Sequence, residues 1–289
     1  MGSKKGFTLL EVLIATAVGG ILLGVVVFAL NQSAQAARFH QDSQALNEDL
    51  RAALGLMADY VNWALAIYPP GSNLTLASSE AYTVRNPRTG NGTWTVGTDP
   101  ILALVLPPQD PTASCSATQE AGCFRFVAFY LLAREDVVHN AFGASNPGAD
   151  PLNDESARLL YLYQRVLRNW PPDSGTTGSS GTRLQLIQPN LPFPGNTDIE
   201  SGRGFLLADY LSGEAAEPGM QLVYRSCLNG GSFGSCGSSS FSSTPPLAFS
   251  AAEVEISLRA FRAYRWPGRG VEVRLTQAAT PRNLSLLLR

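Results

Sequence analysis

A single acidic residue sits at the start of a membrane-length apolar run, and it constrains this chain more than anything else in it. Residues 1–6 are a short polar leader with Lys4 and Lys5. Residues 7–30 then form an apolar stretch whose only charge is Glu11. As a helix this stretch is about 36 Å long at about 1.5 Å per residue, enough to cross a bilayer. An acidic side chain at mid-membrane costs about 2.5–3.5 kcal/mol. A chain that keeps Glu11 there is expected to use it.

Lys4 and Lys5 are the only lysines, and the next basic residue is Arg38. The positive end therefore stays cytoplasmic and the C-terminal bulk lies outside. The predominance of arginine reads as a coding bias toward GC-rich codons, with Lys-to-Arg exchange a weak thermophile signal. A compartment beyond the inner membrane is oxidising, so the four cysteines favour disulfides over metal or redox chemistry. The small-x-small string Ala34-Gln35-Ala36 offers a rival, an ordinary secretory cleavage site. The length of the apolar run and the placement of Glu11 speak against it.

The string Lys5-Gly6-Phe7-Thr8-Leu9-Leu10-Glu11 resembles the class III leader of type IV pilins and type II secretion pseudopilins. The resemblance implies that a prepilin peptidase cuts after Gly6 and methylates the new N-terminal Phe7. It also implies that Glu11 neutralises the N-terminal amine of a neighbouring subunit during assembly, with Thr8 available for local hydrogen bonding. A buried carboxylate is tolerable when paired in this way. The segment 46–51 with Leu54 and Met57 is similar to the helix of PilW-like minor pilins and of pseudopilin J. The closing hairpin, followed by Pro281-Arg282-Asn283, is similar in style. The implied partners are prepilin peptidase, minor and major pilins, and the inner membrane before assembly.

Past residue 30 the helix continues with an apolar stripe of Phe39, Leu46, Leu50, Leu54, Met57, Val61 and Leu65, at spacings of three, four and seven. Pro69-Pro70-Gly71 is expected to stop it, giving one helix over 7–67 of about 90 Å. Gly19, Gly20 and Gly24 interrupt the membrane half. They serve close helix approach or a point of local unwinding, and the two uses are compatible.

Beyond residue 71 the period becomes alternating. A hairpin is expected from 82–84 and 93–96 around Asn91-Gly92, with strands at 101–106, 124–132, 159–167, 184–187 and 220–224. A short helix is expected at 205–211. Val254, Ile256 and Leu258 alternate with Glu253, Glu255 and Arg259, and 271–275 answers them across a turn at 266–270. The predicted class is α+β, one long helix packed on a mainly antiparallel sheet, the pilin fold. The organisation is a leader (1–6), a transmembrane half-helix (7–30), an amphipathic half-helix (31–67) and a globular head (68–289). Long loops at 109–122, 143–155, 171–182 and 229–246 are candidate contact regions.

Candidate chemistry in the head is sparse. Cys115 and Cys123 bracket one small-residue loop and Cys227 and Cys236 another, so local pairing is the simplest of three connectivities. Gly230-Gly231-Ser232-Phe233-Gly234 matches G-x-S-x-G, but both histidines, His40 and His139, precede Ser232 and the context is a cysteine-bracketed loop. Asp150, Asp154 and Glu155 miss calcium-loop spacing and read as a solvated loop. No metal or cofactor is expected, and nothing indicates an enzyme. In the segment 259–266, Arg259, Arg262 and Arg265 interleave with aromatics ending in Trp266, a combination that single-strand binders use. The competing reading is a strand end whose arginines meet Glu253, Glu255 and Glu272. The expected function is a minor pilin or pseudopilin near a filament tip that primes assembly. The alternative is a filament-borne subunit that captures DNA in natural transformation or adheres to surfaces.

Overall fold

The structure, a computed structural model, describes residues 8–77, 85–140, 146–172, 187–214, 218–229, 232–236, 245–263 and 270–283. In chain order the elements are α1 (Leu9–Trp63), β1 (Ala66–Ile67), β2 (Asn73–Thr75), β3 (Thr93–Thr95), β4 (Ile101–Leu106), β5 (Phe124–Ala133), α2 (Arg134–Asn140), β6 (Ala157–Leu167), α3 (Asn196–Ile199), β7 (Arg203–Ser212), β8 (Met220–Asn229), β9 (Ser232–Gly234), β10 (Ala251–Ala263) and β11 (Gly270–Ala279). Two compact units divide the chain, residues 1–45 and 46–289.

The described part of the first unit is the N-terminal portion of α1. Its large apolar side chains from Leu9 to Leu30 are exposed, and it is long and apolar enough to cross a membrane. In the second unit, α1 buries Leu46, Leu50, Leu54, Met57 and Val61 along one stripe. Phe39, expected in that stripe, is 40 % exposed and lies in the first unit, outside the buried stripe. The helix stops at Trp63, four residues before the expected end. Leu65 donates its N–H to Val105 O at 2.8 Å, and Ala66 and Ile67 pair with Val105 and Leu104. Sheet pairing, rather than the prolines behind it, ends the helix.

The main sheet runs β1-β4-β5-β6-β7-β10-β8-β9, with β11 on β10, and all its pairs are antiparallel. Side chains alternate across it. One face is mostly aliphatic, with Leu104, Val127, Leu160, Val254, Ile256 and Leu258 meeting the α1 stripe. On the other face Phe124, Phe126, Tyr130, Tyr161 and Tyr163 join Tyr68, Trp94, Trp170 and Phe193 in an aromatic layer. The architecture is the α+β arrangement expected, a long N-terminal helix with a large antiparallel sheet, consistent with a pilin fold.

One local expectation is corrected. Residues 205–211 belong to strand β7 and not to a helix. Phe205-Leu206-Leu207-Ala208 is helix-compatible, but pairing with β6 overrides propensity. Two register shifts, one setting Asp209 and Tyr210 against Leu159 and one leaving Leu207 extra between the partners of Leu160 and Tyr161, break the alternation that would reveal the strand. The Thr93–Thr95 strand pairs with Asn73–Thr75; the expected partner at 82–84 lies outside the described residues, as do 184–186. The expected long hairpin near the C-terminus forms in register from Val254↔Ala279 to Ala263↔Gly270.

Candidate functional site

At the head of α1, Thr8 and Glu11 form a reciprocal cap. The Thr8 N–H and hydroxyl donate to Glu11 Oε2 at 2.9 and 3.1 Å, and the Glu11 N–H donates to Thr8 Oγ1 at 3.3 Å. This is a capping box, with a carboxylate in the first turn where the helix dipole favours negative charge. The box folds the carboxylate back toward the chain start. Gly6 and Phe7, the predicted cleavage junction, lie outside the described residues. The T-x-x-E spacing of Thr8 and Glu11 is the sequence signature of this box. An added Cβ at Gly19, Gly20 or Gly24 would meet nothing within 4 Å, so their surfaces are open.

In the head, Cys115 is bonded to Cys123 and Cys227 to Cys236. The first disulfide ties the loop after β4 to the start of β5. The second closes the β8–β9 turn, so Ser232 and Phe233 lie in a short strand rather than a strand-to-helix elbow; Gly230 and Gly231 are outside the described residues.

The arginines proposed for nucleic acid have acidic neighbours. Arg259 donates to Glu272 at 2.7 Å and to Glu214 at 3.2 Å. The Arg259 hydrogen bond holds the Glu272 carboxyl below its ordinary range. Arg262 lies 4.0 Å from Asp150 and stacks over the Tyr210 ring at 4.6 Å. Arg265 and Trp266 lie outside the described residues.

Sequence reasoning missed a buried charge cluster. Arg134 opens α2 with its side chain 1 % exposed. Its guanidinium binds Asp154, donates to Asp209 at 3.0 Å and to Gly148 O at 2.8 Å, and lies 5.3 Å from the Tyr210 ring centroid. The β7 bulge presents Asp209 to Arg134 and puts Tyr210 at φ 60°, where its hydroxyl donates to Asp150 at 3.1 Å. Burial, then Asp209, raises the Tyr210 pKa. Nearby, the Asn153 side chain donates to Ala263 O and accepts from Ala263 N–H at 2.8 Å, extending the ladder beyond Leu211 by one side-chain amide.

The Asp150–Asp154 loop is thus organised around an arginine, and Glu155 is exposed. Among the described residues no cluster of three or more His, Cys, Asp or Glu is arranged to hold a metal. Carboxylates already held by a guanidinium make a structural staple between α2, the 146–155 loop and β7. No sequence pattern marks a buried arginine, because its partners come from segments 20 and 75 residues away.

Comparison with known proteins finds the prokaryotic N-terminal methylation motif at residues 1–27. No curated protein and no solved structure matches the chain. The motif indicates a type IV pilin-like or pseudopilin protein processed by a prepilin peptidase, and with the apolar helix it fits an inner-membrane-anchored chain.

Proposed function

We propose that this chain is a minor pilin or pseudopilin, cut between Gly6 and Phe7, methylated at Phe7 and incorporated near a filament tip to prime assembly. Before assembly its head is periplasmic and its N-terminus cytoplasmic. The observation that supports this reading is an exposed apolar helix headed by one carboxylate that faces back toward the chain start. Cleavage after Gly6 frees an amine on Phe7, and the amine of a neighbouring subunit can take the place of the Thr8 donors on Glu11. Pairing then offsets the cost of carrying the carboxylate into an apolar filament core. This reading assigns the head a role in assembly and none in catalysis. Acidic partners on Arg259 and Arg262 weigh against the DNA-capture role for that segment.

The test combines N-terminal sequencing with sheared-filament fractionation. The mature chain should begin at methylated Phe7, and Gly6→Leu should leave it uncut. Glu11→Val should insert into the membrane normally and be depleted from filaments at least tenfold. An N-terminus at Ala37, or normal incorporation of Glu11→Val, would overturn the proposal.

A further inference from the structure

Among the described residues the outer edge of β11 has no strand partner, and it lies in the head, apart from the N-terminal apolar segment. The path of the main sheet ends in short strands. β1 has two residues and is followed by Pro69-Pro70, while β9 has three residues inside a disulfide loop. Both are blunted in the way that discourages strand addition. β11 branches from β10, runs ten residues without proline or register shift, and among the described residues pairs on one side only.

The hydrogen bonds on the far side of β10 set the phase of that edge. Arg259 N–H donates to Gly219 O at 2.9 Å and Ala263 N–H to Asn153, both on the side of β10 away from β11. In an antiparallel pair, opposed residues point their backbone groups both inward or both outward. Arg259 opposes Arg274 and Ala263 opposes Gly270. The N–H and C=O groups of Gly270, Glu272, Arg274 and Thr276 therefore point outward from the sheet. Glu272, Arg274 and Thr276 also have exposed side chains, while Val271 and Val273 are buried on the helix side. Arg274 stands opposite the like charge of Arg259 and forms no ion pair among the described residues; Glu272, two positions back, is held by Arg259. Like charges in direct opposition are unfavourable.

We propose that this edge receives an extended strand from a different pilin-like subunit, with an acidic side chain opposite Arg274 and apolar side chains at the alternate positions. This rests on the assembly reading above. Self-pairing fits less well. A parallel in-register copy sets Arg274 beside Arg274 and Glu272 beside Glu272. An antiparallel copy sets Glu272 against Arg274, but in each copy Glu272 is already held by Arg259 and offers Arg274 no free carboxylate partner.

The experiment uses the full-length chain in its own cell envelope, with p-benzoylphenylalanine replacing Thr276. Ultraviolet adducts should map to one extended, acid-bearing segment of another pilin-like chain, and Arg274→Glu should lower their yield at least fivefold. In the otherwise unlabelled chain, Thr276→Pro should lower filament incorporation at least fivefold. It removes an outward N–H and the exposed hydroxyl contact with Ser257 but no hydrogen bond of the β10–β11 ladder, so the head should stay protease-resistant; Gln277→Pro removes an inward N–H and serves as the unfolded control. Adducts to residues 284–289 of the same chain, adducts to a second copy, or no adducts together with normal incorporation of Thr276→Pro would each overturn the proposal. If the assembly reading itself fails, Glu11→Val incorporates normally, a result independent of these adducts.

Discussion

β5 and β10 belong to one sheet and are built on different plans. In β5 only Arg125 and Ala133 escape burial, so both faces are covered. In β10 buried residues alternate with half-buried ones through most of the strand. On the helix side both meet aliphatic residues of one cluster. The difference lies on the opposite face, where β5 and β6 carry the aromatic layer and β10 carries Glu253, Glu255, Ser257 and Arg259.

What covers the aromatic layer is largely irregular chain, and this explains the placement of Tyr68, Tyr163 and Trp170. Loops bring carbonyls and N–H groups that lack ladder partners. Tyrosine and tryptophan supply an apolar body with a polar end. Tyr68 OH donates to Pro194 O at 2.9 Å, and Trp170 Nε1 to Pro192 O at 3.0 Å. Tyr163 OH lies 2.6 Å from Ile199 O and 2.8 Å from Ala77 O, and accepts the Gly202 N–H at 2.7 Å. Burial, with Asp198 nearby, raises the Tyr68 hydroxyl well above its usual pKa, so it stays a donor. On the helix side α1 satisfies its own backbone, and aliphatic side chains suffice. On the open face of β10 the pairs are polar, as in Ser257 with Thr276 at 2.8 Å and Arg225 with Glu255.

The contrast can be broken at four points, each followed by guanidinium unfolding of the oxidised chain in detergent unless stated. Arg134→Ala strands Asp154 and Asp209 in the cluster beside β7, at the junction between the two plans. The expected loss is about 3–5 kcal/mol, and a loss below about 1 kcal/mol would mean that the cluster is solvated. Tyr163→Phe keeps the ring and removes the hydroxyl that joins three loop groups. It should cost about 1–3 kcal/mol, whereas a neutral result would show that the aromatic layer acts by area alone. Arg225→Ala, on the open face, should leave the unfolding midpoint nearly unchanged, because the arginine side of the pair is half exposed and screened by solvent.

The smallest expected effect concerns pH. Glu272 is depressed in the folded chain, so its contribution is present above the unfolded value of about 4.3 and is lost as pH falls through the lower folded value. Unfolding midpoints compared at neutral pH and below about pH 4 should show a slightly weaker acid dependence in Arg259→Gln than in the parent. An unchanged dependence would show that the Arg259–Glu272 pair is screened out.

Much of the helix and several strands could be read from periodicity. The stripe from Leu46 to Val61 and the alternation of Val254, Ile256 and Leu258 each record one buried face. β4 and β5 were visible as apolar runs, though a run covered on both faces does not say what covers it. β7 was misread because its bulge scrambles the period. At the N-terminus the capping box was legible in Thr8 and Glu11, since both partners lie within one helical turn. The Arg134 cluster was not, because burial of a charge depends on partners that only the folded chain brings near.

By itself the sequence determined the features that local spacing can encode. These are an apolar helix headed by one carboxylate, a methylation motif at its start, and alternating strands behind it. The helix needs no distant partner to satisfy its backbone, so a continuous apolar run is enough to specify it. Tertiary structure decided where α1 stops, which strand β3 joins, and which arginines are held by acids. Those outcomes depend on hydrogen bonds and charges supplied by residues far along the chain, such as Val105 for Leu65 and Asp209 for Arg134. A buried polar group must find its partner wherever the fold places one, and no local pattern records that search.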